Sequence, residues 1–257
     1  MKRSILLVLF SAGAFLSACE KQTTENIQLD LGYDFFPLQV GKYWEYQVDS
    51  ILFVPDVSRT RLDSSRTWIR EEIITQQLNN AGDTIYQAER YERKDTTHPW
   101  QIRRVFILQR TNNQALREED NLRLIKLVFP LRSGQRWNSL RFIDPTLRQE
   151  VAGQSMAIFK DWETRTKAVS EPFAGQYANY QAVTTIQYAD HRLLTELRVA
   201  QERYAKGIGL VERTWEIMDT QCTACCGSLG DVRCQTLPWK EKAERGFMLK
   251  QQLIAHN

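Results

Sequence analysis

The chain has 257 residues, 42% of them hydrophobic, with 34 basic side chains against 31 acidic ones and a formal charge of +3. That near-balance excludes the strongly basic face a nucleic-acid partner needs, so no nucleic acid is expected. The length suffices for one well-filled core, and no low-complexity linker divides it.

Lys2 and Arg3 precede an apolar run from Ile5 to Leu16 that is too short to cross a bilayer as a mature helix. It ends in Leu16-Ser17-Ala18-Cys19, which resembles the lipobox of bacterial lipoproteins. The resemblance implies cleavage before Cys19, a diacylglycerol thioether on its sulfur, and acylation of the new amino group. At about 0.8 kcal/mol per buried CH₂, several acyl chains hold such an N-terminus on a membrane. Residues 1–18 are therefore read as a signal peptide, and their loss with Lys2 and Arg3 takes the charge from +3 to +1. Residues 19–33 are read as the lipidated cysteine and a polar, flexible tether, and 34–257 as a single β domain. No other apolar run is long enough to span a bilayer as a helix.

Phe36-Pro37-Leu38-Gln39-Val40-Gly41-Lys42-Tyr43-Trp44 recurs ninety-three residues later as Phe129-Pro130-Leu131-Arg132-Ser133-Gly134-Gln135-Arg136-Trp137. Phe, Pro, Leu, Gly and Trp keep their spacing. Each copy reads as a corner: Pro sets φ, Leu anchors, Gly permits a bend, and Trp opens a strand that faces a core. After the first corner, Trp44, Tyr46 and Val48 alternate with polar residues, a half-buried strand pattern. Strands are expected over 66–77, 84–94, 101–110 and 122–128, with turns at Asn79–Asp83 and Thr111–Asn113. After the second corner, strands are expected over 158–169, 181–188, 193–204, 210–218 and 246–254. The segment 193–204 also fits a helix face, and its β neighbours decide for strand. A mainly β chain with one curved antiparallel sheet, or half-barrel, is the expected fold.

Three segments together resemble an uncharacterised family of envelope lipoproteins from Bacteroidota-type bacteria. They are the Phe-Pro-Leu-x-x-Gly-x-x-Trp corner, Pro172-x-x-Gly175-x-Tyr177-x-Asn179, and Tyr204-Ala205-Lys206-Gly207-Ile208-Gly209-Leu210-Val211. The resemblance covers about Phe36 to Val211, and its motifs are structural signatures. It implies a half-barrel similar to the envelope carriers LolA and LolB, which wrap a curved sheet around an apolar hollow. This chain is longer and carries a Cys-rich loop insertion, 219–245, before its last strand.

That loop holds Cys222, Cys225, Cys226 and Cys234, all beyond the signal peptide in an oxidising envelope, so disulfides are expected. A Cys225–Cys226 bond is strained, so Cys222 pairs with one of them and Cys234 with the other. A tetrathiolate metal site is the alternative, but only Cys222 and Cys225 have the zinc-type gap, and thiolates oxidise outside the cytoplasm. No metal and no cofactor other than the lipid on Cys19 is expected.

No catalytic residue stands out. His98 and His191 read as solvated turn residues and His256 as terminal; Asp190-His191 meeting Asp95-His98 in one site is the sharper alternative. Gly153-Gln154-Ser155 lacks the second Gly of a nucleophile elbow. Gly207-Ile208-Gly209 lacks the helix of a phosphate cradle and reads as a turn needing unusual φ. Glu71-Glu72 and Glu118-Glu119-Asp120 are placed in solvent-facing or turn stretches.

A non-enzymatic, lipid-anchored protein of the bacterial envelope, with the outer membrane as the expected location, follows from these features. It binds an apolar ligand or lipid in the half-barrel, or a partner protein. Trp44, Tyr46, Val48, Leu124, Trp215 and Ile217 are the expected lining; the competing expectation is that they fill a dry core. An assembly lipoprotein using the stapled loop as an interaction tip is the alternative, and a hydrolase with a site built from turns is a third.

Overall fold

Residues 30–56, 60–222 and 232–257 are described by a computed structural model. The chain forms β1 (Tyr43–Pro55), β2 (Thr60–Leu78), β3 (Thr84–Arg93), β4 (Gln101–Arg110), β5 (Gln114–Glu119), β6 (Leu122–Val128) and β7 (Arg136–Trp137). These are followed by β8 (Gln149–Val151), β9 (Gln154–Met156), β10 (Thr164–Ala174), β11 (Asn179–Arg192), β12 (Glu196–Ala205), β13 (Gly209–Asp219) and β14 (Arg245–His256). Two short helices, Val232–Thr236 and Trp239–Lys242, precede β14. Strands β8 and β9 pair with each other alone; the other twelve form one sheet in the order β6-β5-β4-β3-β2-β1-β14-β13-β12-β11-β10-β7. Every pairing is antiparallel, and the sheet curves until it is nearly closed.

The sheet is two six-strand meanders joined where β1 meets β14. The recurring corner begins each meander, and its two copies share their backbone bonds residue for residue. Gly41 N–H donates to Ile73 O (2.8 Å), and Ile73 N–H returns to Lys42 O (2.9 Å). Ninety-three residues on, Gly134 N–H donates to Thr166 O (2.8 Å), and Thr166 N–H returns to Gln135 O (2.9 Å). Both glycines take a positive φ, 85° and 76°, which is the bend the sequence required. Phe36, Leu38, Trp44, Phe129, Leu131 and Trp137 all pack into one core cluster. Tyr33 stacks edge-on against Phe129 at 4.9 Å, so the two corners sit side by side at one end of the sheet.

Side-chain alternation assigns the inner face. Trp44, Tyr46 and Val48 point with Ile69 and Glu71 of β2 because their register partners lie directly opposite. A second cluster forms where the connection between β6 and β10 folds back. Leu140, Ile143, Met156, Ile158 and Phe159 pack against Ile217, with Leu124, Trp215 and Phe247 at the margin. The chain thus fills part of its own barrel.

One expectation is corrected and two elements are added. Ile158 and Phe159 lie in a buried turn, not in a strand; pairing starts at Thr164. Residues 114–119 form β5, which its charged sequence, Gln-Ala-Leu-Arg-Glu-Glu, had hidden. Residues 152–153 turn the β8–β9 hairpin, with φ of 51° and 77°. The ambiguous segment 193–204 is a strand, β12, as expected.

Candidate functional site

The inner face carries charge. Arg117 of β5 grips Glu71 of β2 with two nitrogens, Nη1 to Oε2 (2.9 Å) and Nη2 to Oε1 (2.8 Å). Its Nε and Nη2 also reach Glu119 Oε2 (3.0 and 2.8 Å). Arg90 of β3 bridges the same two carboxylates, at 2.7 Å to each. Across the barrel, Glu202 of β12 takes Lys126 Nζ (2.8 Å) and Arg213 Nε (2.7 Å) on one oxygen and the Tyr204 and Tyr188 hydroxyls on the other. Glu202 is fully buried, and Glu71 and Lys126 are nearly so. Bidentate, charge-assisted geometry of this kind is what offsets the desolvation of buried ions.

Burial alone would push the Glu71 carboxyl up, but Arg117 and Arg90 overrule it and hold it well below the carboxylate range. Glu202 is held low in the same way by Lys126 and Arg213. Burial pushes the Lys126 ammonium down to about 8, against the opposing pull of Glu202. The phenols of Tyr46, Tyr188 and Tyr204 are pushed up by burial first and by Glu71 or Glu202 second.

A cavity of about 40 Å³ lies between this network and the first corner. Glu71, Arg117, Lys126, Arg213, Tyr46 and Tyr204 line its polar part. Phe36, Pro37, Leu38, Trp44, Leu108 and Leu210 line the apolar part. The Trp44 indole N–H donates to Ile208 O, and the Tyr46 hydroxyl donates to Leu210 O (3.0 Å), so the corner is tied to the turn before β13. Gly207 and Gly209 in that turn have φ of 77° and 102°, the unusual backbone the sequence pointed to. A cavity this small has room for a few water molecules and none for an acyl chain.

A groove of about 550 Å³ crosses β2, β1, β14 and β13. Ile51 and Met248 give it apolar wall, and Ser64, Thr214, Glu216, Lys250 and the Asp49–Arg66 pair give it polar edges on the same face. Ser50, Ser65, Trp215 and Leu249 border it from strand positions whose side chains alternate to the inner face. That volume suits a small molecule.

The six expected lining residues do not share one hollow. Trp44 and Tyr46 are buried and border the small cavity, with Val48 packed on the same cluster. Ile217 is fully buried in the second cluster, with Leu124 at its margin. Trp215 touches both clusters and borders the groove.

His98 stands in an exposed turn, with Nδ1 2.7 Å from Asp95 Oδ1. Asp190 and His191 lie in β11 and not in a turn. His191 Nε2 faces Asp161 Oδ2 at 3.4 Å, so the Asp95-His98 and Asp190-His191 pairs do not meet in one site. Asp161, His191 and Glu196 bring one ligand atom each within 4.8 Å of the others, a set that could hold a cation. The Lys160 ammonium already sits 2.7 Å from Glu196, which supplies the positive charge there. His256 is exposed near the end of β14. Cys222 is buried, with its N–H donating to Thr220 Oγ1 (2.8 Å). Cys19, Cys225, Cys226 and the side chain of Cys234 lie outside the described residues.

The charged interior corrects the placement of Glu71 and Glu119 in solvent. Its signal was parity: Glu71 sits between Ile69 and Ile73, and Glu202 between Ala200 and Tyr204, at the two-residue spacing of an inner face.

No protein-family model matches the chain, and no curated protein does. Among solved structures, the chain is similar to a candidate exported protein with a YmcC-like fold from Bacteroides fragilis NCTC 9343. The two are 9% identical over 87% of this chain and 98% of that one, with a TM-score of 0.43. It is also similar to a candidate lipoprotein from Parabacteroides distasonis ATCC 8503, at 9% identity over 87% and 98% of the two chains, with a TM-score of 0.38. Neither lends a residue or a role to this chain.

Proposed function

We propose that this chain is a non-enzymatic, lipid-anchored binding protein of the bacterial envelope that takes a small amphipathic ligand in the groove across β2, β1, β14 and β13. The groove itself carries the proposal: about 550 Å³ on the outer face of the sheet, apolar at Ile51 and Met248, polar along Ser64, Thr214, Glu216, Lys250 and the Asp49–Arg66 pair. A ligand with one apolar and one polar side complements such a wall. Salt bridges and packed side chains take up the barrel interior, which moves the expected apolar site from the hollow to this groove. Leu16-Ser17-Ala18-Cys19 supports attachment through Cys19, and disulfide pairing of Cys222, Cys225, Cys226 and Cys234 belongs to the same exported setting.

Native mass spectrometry of the lipidated chain, extracted from envelope membranes, tests the binding. Ser64 shares the face of Ile51 and Met248 and Ser65 does not, so Ser64→Trp fills the groove and Ser65→Trp serves as control. An adduct on the wild type and on Ser65→Trp that Ser64→Trp loses is the expected result, and an adduct kept by Ser64→Trp would place the ligand elsewhere. Bare masses for all three would refute the binding.

A further inference from the structure

Among the described residues, the ion count of the network around Glu71 and Glu202 does not balance. Four cations, Arg90, Arg117, Lys126 and Arg213, meet three carboxylates, Glu71, Glu119 and Glu202. Arg104 reaches Glu119 at 3.6 Å, but it is half exposed and already paired with Asp120, so it leaves the count unchanged. One positive charge is therefore left over among buried groups. Uncompensated buried charge is costly, and a structure that keeps it has a use for it or a counter-ion.

Donors are left over as well. Arg213 uses Nε on Glu202 and Nη1 on Gln251 Oε1 (3.3 Å), which leaves Nη2 without a hydrogen bond among the described residues. Gln251 is 2% exposed, and its Nε2 is buried with no partner. Arg117, Lys126 and Arg213 border the cavity of about 40 Å³, and Gln251 lies outside its lining. A carboxylate has three heavy atoms, about the bulk of two or three water molecules, and such a space holds that much. Phe36, Leu38, Trp44, Leu108 and Leu210 complete the wall, so whatever follows the head group meets carbon.

We propose that this cavity is a binding site for one monovalent carboxylate, separate from the groove, with Arg213 and Lys126 as its cationic contacts. Two sources carry that chemistry: a free short-chain acid, or the head of a longer amphiphile whose tail runs along the first corner. The Tyr46 and Tyr204 hydroxyls are committed to Leu210 O and Glu202, so recognition falls to the two cations.

Equilibrium dialysis of the lipidated chain in detergent micelles against radiolabelled acetate and hexanoate, at constant ionic strength and neutral pH, tests this. One saturable site per chain for acetate is expected; hexanoate, whose tail the cavity does not enclose, shares it only if that tail lies outside along the first corner. Lys126→Met removes the excess charge and should weaken binding by about tenfold or more, while Lys126→Arg should retain it. Arg213→Gln removes the orphan Nη2 together with one charge and gives an independent reading of the same loss. Hexanoate binding at least about tenfold tighter than acetate would assign the head of an amphiphile, and equal, weaker or absent hexanoate binding a free short acid. Absence of saturable uptake by the wild type, or uptake unchanged in both charge-removing variants, would overturn the site.

Discussion

Lys126 on β6 meets Glu202 on β12 at 2.8 Å, and that contact crosses the barrel instead of following the sheet. The Tyr188 hydroxyl, 3.1 Å from Lys126 O and 3.0 Å from Glu202 Oε2, braces the same point. The two meanders are therefore tied both along the β1–β14 seam and through their middle. Glu202→Gln leaves Lys126 and Arg213 buried without their carboxylate and should cost about 3–5 kcal/mol. Lys126→Met should cost less, because Arg213 still covers Glu202. Urea unfolding of the two single variants and the double variant checks the order, with the double falling short of the sum.

The pH dependence has a sign on each side. Glu71, Glu119 and Glu202 are held below their ordinary value of 4.5, so their stabilisation is present above that pH and is lost as pH falls through it. Lys126 is pushed from 10.5 down to about 8, so between those values the unfolded chain binds the extra proton and stability rises with pH. Above pH 10 the buried phenols reverse this, because Tyr46, Tyr188 and Tyr204 keep protons that the unfolded chain releases. Thermal midpoints should fall steeply in acid, gain between about 8 and 10, and drop beyond. Lys126→Met should remove the alkaline gain while leaving the acid limb.

Glycine positions separate strain from collision. Gly246 in β14 has φ of 120°, and a Cβ there would lie 2.0 Å from Ile217 O. Gly41 and Gly134 also have positive φ, but a Cβ at either meets nothing within 4 Å. Gly41→Ala and Gly134→Ala should each cost about 1 kcal/mol from backbone strain alone, and nearly the same as each other. Gly246→Ala should cost several times that or prevent folding, as read by denaturant midpoints and soluble yield.

Much of the fold was legible because alternation and turn chemistry are local. Strands β4 and β6 fall on their expected residues, and the doubled corner is a structural repeat down to its hydrogen bonds. What local pattern could not give was content for the hollow. Leu140, Ile143 and Met156 lie in a connection without sustained periodicity, so nothing in the chain signalled that they fold back into the barrel. Glu71 and Glu119 looked solvated because their partners, Arg90 and Arg117, come from other strands or from a strand that the pattern hid. Their burial becomes reasonable only once Glu71, forty-six residues away, is placed opposite Arg117.

Attachment of the barrel to a membrane through its mature N-terminus underlies the proposed function. Intact-mass measurement of the chain purified from its native envelope tests that most directly. The predicted result is a polypeptide beginning at Cys19 with the added mass of a diacylglyceryl group and an amide-linked acyl chain. A chain that retains Met1 to Ala18, or that begins at Cys19 without lipid, would contradict it.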